Sequence, residues 1–106
     1  MRNLTIKRKK SFVGAVMKIK IYMEDAAANE LAILGAPCRK LGEVKNGGEL
    51  TVEIDEDMHT IYAIVDVITK DSCVGKAEIP AGADDVTVSG KNRLAPLKGN
   101  PFVFED

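Results

Sequence analysis

His59 is the only histidine in the chain, and Asp55, Glu56 and Asp57 lie just before it. Carboxylates beside an imidazole are the residue types that hold a cation or act as a general base. With Cys73 as nucleophile, the same histidine would complete a cysteine–histidine pair. The spacing supports none of these. Asp55, Asp57 and His59 match only the opening of a calcium loop, with no glycine at its sixth position and with Lys70-Asp71 beyond the place of a bidentate glutamate. Two cysteines and one histidine lack the paired ligands of structural zinc. Ser11, Ser72 and Ser89 lack a Gly-x-Ser-x-Gly elbow. Lys45-Asn46-Gly47-Gly48 precedes no helix whose N-terminus would cradle phosphate. Asp55 to His59 therefore reads as a solvated turn opening a strand, and the chain as a non-enzyme with no metal and no cofactor.

The remaining chemistry is charge. The net charge of −1 hides an asymmetry: residues 1–20 contain Arg2, Lys7, Arg8, Lys9, Lys10, Lys18 and Lys20 and no acid. One reading puts these lysines on an edge strand, where they discourage pairing with other chains. The other makes Lys7, Arg8, Lys9, Lys10, Lys18 and Lys20 a basic face for phosphate, nucleic acid, an anionic surface or an acidic partner. Asp55 to Asp57 and Asp84-Asp85 would then be its internal or intersubunit complement. Aromatic residues make up 5% of the chain and tryptophan is absent, leaving little surface for stacking sugars or bases.

The elements that position these groups follow from periodicity. A length of 106 residues fits one domain filling 1–106, and 45% hydrophobic with 29% charged residues is the composition of a globular protein. No apolar run approaches the roughly 20 residues of a membrane span, and the N-terminus lacks the apolar core of about 7–15 residues of a signal peptide. The chain therefore reads as cytoplasmic, with Cys38 and Cys73 as reduced, buried thiols.

From Arg2 to Lys10, Leu4 and Ile6 alternate with Thr5 and Lys7, the pattern of a half-buried strand. Met17, Ile19, Ile21 and Met23 form the apolar face of a second strand, with Lys18, Lys20 and Tyr22 on its solvated face. Glu24 to Asn29 is a turn, and Leu31–Leu34 and Cys38–Val44 are short strands around Gly35-Ala36-Pro37. Asn46-Gly47 marks a β-hairpin into Leu50, Val52 and Ile54, which point inward. Thr60 to Thr69 is apolar almost throughout, the mark of a central strand buried on both faces. Val74–Ile79, Asp85–Val88 and a closing Phe102-Val103-Phe104 complete the set. The expectation is an all-β, antiparallel sandwich, immunoglobulin-like or transthyretin-like, with about seven or eight strands.

Lys10-Ser11-Phe12-Val13-Gly14, Met17 to Tyr22, Leu41 to Gly47 and His59-Thr60-Ile61 together resemble a group of small bacterial β-sandwich proteins similar to PEGA-type domains, over residues 4–65. That resemblance implies a bacterial protein with a cell-envelope or accessory role and no catalytic residues. The chain departs from the pattern in having Asp57-Met58 where Pro-Gly precedes the histidine, and Pro80-Ala81-Gly82-Ala83 later. The expected function is protein interaction or self-association through an exposed strand edge, the basic face being the alternative.

Overall fold

The computed structural model describes residues 1–10, 18–28, 30–65, 74–92 and 102–105. They contain nine strands: β1 (Arg2–Arg8), β2 (Ile19–Glu24), β3 (Leu31–Ile33), β4 (Ala36–Val44), β5 (Glu49–Ile54), β6 (His59–Val65), β7 (Gly75–Ile79), β8 (Val86–Asn92) and β9 (Phe102–Glu105). These build a sandwich of a four-stranded sheet, β5-β1-β8-β9, and a five-stranded sheet, β3-β4-β2-β6-β7. The all-β sandwich expected from periodicity is therefore present, with nine strands instead of seven or eight. Every pairing is antiparallel except that of β1 with β8. No helix among the described residues is long and apolar enough to cross a membrane.

Leu4 and Ile6 of β1 meet Ile19, Ile21 and Met23 of β2 and Ile61 and Ala63 of β6 in the core between the sheets. Removing such side chains from water is the main favourable term in folding. The five-stranded sheet is apolar on its other face too, where Tyr22, Ile33, Cys38, Tyr62, Ile64 and Val74 cluster. This explains the unbroken buried run Ile61 to Ile64 in β6, which lies inside the sheet between β2 and β7. It also corrects the solvated face expected for β2, because Tyr22 packs into this second cluster. The part of the apolar run beyond Val65 lies outside the described residues.

Two further expectations change. β1 lies between β5 and β8, and β2 between β4 and β6, so the basic strands are interior and their lysines guard no edge. The turn at Asn46-Gly47 also joins no hairpin. Gly48 N–H donates to the Lys45 carbonyl at 2.8 Å, and Gly47 has φ 75° while Asn46 does not have positive φ. A hairpin turn of type I′ needs positive φ at both central residues; one positive φ at the second gives the type II pattern, whose twist splays the strands. β4 accordingly stays in the five-stranded sheet, and β5 crosses to pair with β1, Leu50 opposite Ile6 and Val52 opposite Leu4.

The true two-residue hairpin joins β3 and β4. Leu34 (φ 52°) and Gly35 (φ 83°) sit between the paired Ile33 and Ala36, as type I′ requires. Pro37, expected in the turn, is instead inside β4.

Candidate functional site

Asp55 and His59 do come together, with Asp55 Oδ1 and His59 Nε2 2.6 Å apart. The turn between β5 and β6 brings this about, because Asp57 N–H also donates to Asp55 Oδ1 at 2.9 Å. That backbone bond, then the His59 side chain, holds the Asp55 carboxyl below its ordinary range. The inward side of the turn is already taken by a cation. Arg2, 4% exposed, donates from Nε to the Asp55 carbonyl at 3.0 Å, and from one terminal nitrogen to the carbonyls of Asp57 at 3.0 Å and Pro80 at 2.8 Å. The guanidinium thus ties the β5–β6 turn to the segment after β7. Among the described residues no three His, Cys, Asp or Glu side chains converge as metal ligands.

Cys38 is a free thiol, fully buried; burial pushes its pKa up, so it stays protonated. Cys73, Ser11 and Ser72 lie outside the described residues, and Ser89 is in β8. On the outer face, Tyr62 donates its hydroxyl to Glu24, and burial together with that carboxylate raises its pKa.

The basic residues divide. Lys7, Lys9, Lys10 and Lys18 are exposed and Lys20 is half-buried, but Arg8 is 2% exposed and donates to the Val44 carbonyl at 2.9 Å. Arg8 therefore does not belong to a surface face: it shares the inward phase of Leu4 and Ile6, and burial lowers its pKa. Lys7 lies opposite Glu49, and Lys20 opposite Glu43, on different sheets. What the fold does bring together is the end of the sandwich where β1 finishes and β2 begins. Lys10 packs beside Gly47, where an added Cβ would lie 3.4 Å from its own, and Lys18 precedes Ile19, the partner of Val44. The acidic turns lie at the opposite end, where Asp85 accepts from Asn3 N–H at 2.8 Å and Asp25 pairs with Arg39 at 3.2 Å.

The sheet edges differ in a way the sequence reading did not resolve. β5 carries Glu49 and Glu53, β7 carries Lys76 and Glu78, and β9 carries Glu105. Charges on an edge discourage strand addition. β3, the outer strand of the five-stranded sheet, reads Leu31-Ala32-Ile33 and has none. Leu31 is 36% exposed, and Leu34 in the adjoining turn is 47% exposed. The signal available in the sequence was the absence of charge between Glu30 and Arg39. Compared with known proteins, the chain matches no family and no curated relative.

Proposed function

We propose that this domain is a non-enzymatic interaction module that receives another extended strand at β3. The observation that carries this reading is that β3 alone, among the four described edge strands, bears no charged residue while exposing Leu31. Strand addition draws affinity from main-chain hydrogen bonds and specificity from alternate side chains, and it needs no catalytic group. The resemblance to PEGA-type sandwiches, accessory domains without catalytic residues, points the same way. The test is affinity capture from native cell extract with wild-type and Ala32→Pro baits, each checked for folding by circular dichroism. Proline is tolerated on an edge strand when the lost N–H faces solvent, yet it removes a donor from an added strand. Capture lost in the variant supports the reading; equal capture by both baits overturns it.

A second reading rests on the lysine-rich end formed by Lys9, Lys10, Lys18 and Lys45 from both sheets, which suits a polyanion read by charge density. Binding to a DNA oligonucleotide at low ionic strength, falling steeply as salt is added, would support it. No binding at low salt would exclude it.

A further inference from the structure

We propose that the strand added at β3 is β3 of a second copy of this chain, paired antiparallel with the two Ala32 residues facing each other across a two-fold axis. This rests on the strand-edge reading above and adds the identity of the partner.

Pro37 sets the phase of the β3 edge. In an antiparallel ladder, directly opposite residues alternate between pairs that exchange both N–H···O bonds and pairs that exchange none. Ala32 lies opposite Pro37, which has no N–H to give. The pair Ala32–Pro37 is therefore a non-bonded one. The two-residue turn requires the same phase, because Ile33 and Ala36 close the hairpin as a bonded pair. It follows that the N–H and C=O of Ala32 point away from β4, toward the open edge of the sheet. An incoming strand gains two hydrogen bonds at once if its own central residue turns a matching N–H and C=O toward Ala32. β3 is itself such a strand.

The side chains agree with that register. Leu31 of each copy faces Ile33 of the other, and Glu30 faces Leu34; the Glu30 carboxylate accepts from the Lys40 N–H at 3.0 Å, away from the turn, so the two carboxylates lie at opposite ends of the seam and no like charges are opposed. Ala32 is exposed and small, so nothing bulky stands on the two-fold axis. The edges at β5 and β7 fail on charge: Glu49 and Glu53 on β5 and Lys76 and Glu78 on β7 are the devices that keep edges single. A seam of three residues buries less than the ~1,200 Å² of a standard interface, so the dimer is weak and reversible.

The experiment is sedimentation equilibrium with light scattering from about 10 μM to about 1 mM, the range in which small transient interfaces dissociate. The proteins are the wild type, Ala32→Lys, Ala32→Glu and an equimolar mixture of the two variants, each checked for folding by circular dichroism. The wild type is expected to approach dimer mass. Each variant alone sets like charges directly opposite one another and should weaken the dimer by up to about fivefold. The mixture sets lysine opposite glutamate and should recover the dimer. A wild type that stays monomeric, a variant that dimerises as the wild type does, or a mixture that stays monomeric overturns the proposal. A monomeric wild type whose Ala32→Pro bait has lost its capture rejects the second copy and keeps the strand-edge reading. A monomeric wild type with unchanged capture rejects both.

Discussion

Replacing Arg2 with methionine keeps a stem of similar length and removes the three bonds to the carbonyls of Asp55, Asp57 and Pro80. Hydrogen bonds to a charged group contribute about 1.5–3 kcal/mol each, which puts a ceiling of about 4.5–9 kcal/mol on the loss. Two effects reduce it. The cost of burying a guanidinium disappears, and the three carbonyls belong to exposed residues that water can reach. The expected net destabilisation is about 2–4 kcal/mol, a large share of the ~5–15 kcal/mol that holds such a domain folded. At roughly 4–8 °C per kcal/mol for a domain near this size, Tm should fall by about 8–32 °C. Arg2→Lys retains the charge without the planar fork and should recover less than half of the loss. Urea and thermal unfolding of the three proteins measure these differences. A loss below about 0.5 kcal/mol, within the scatter of ordinary surface substitutions, would refute the clamp, and so would full rescue by lysine.

Leu34 holds φ 52°, a conformation that costs a branched L-residue about 1 kcal/mol, so Leu34→Asn should raise stability by about 0.5–1 kcal/mol in urea unfolding. Tyr62→Phe removes the bond to Glu24 and should destabilise by about 1.5–3 kcal/mol, while in the wild type the Tyr62 phenolate should appear in an absorbance titration only as the fold is lost in strong alkali. Asp55 has a depressed folded-state pKa, so its stabilising contribution is complete above the unfolded value of about 3.9 and is lost as pH falls through the folded value. Stability measured from neutral pH into acid should therefore drop below about pH 4 in the wild type and less so in Asp55→Asn.

Alternation and apolar runs made most strands legible, because one buried face imposes a period of two wherever it occurs. The central place of β6 followed from Ile61 to Ile64 on the same grounds. Asn46-Gly47 misled because a hairpin and a corner between sheets use the same residues. The pairing of Leu50 with Ile6, far away in the chain, decides between them. Arg8 counted as surface charge by residue type, although the phase of Leu4 and Ile6 already placed it on the inward face with Arg2. The lysines are neighbours in sequence, yet β1 and β2 belong to different sheets, and only the shared end of the sandwich reunites some of them. At β3 the proline was visible, but its consequence for Ala32 depends on register, which no local pattern supplies.

Pairing at the β3 edge turns on the amide of Ala32. Backbone hydrogen exchange followed by NMR at increasing protein concentration reads that one group directly. Ala32 is expected to exchange rapidly in dilute solution and to become protected as concentration rises, with the amide of Ile33, bonded within the hairpin, unaffected. Exchange at Ala32 that is independent of concentration, or protection already present in dilute monomer, would contradict it.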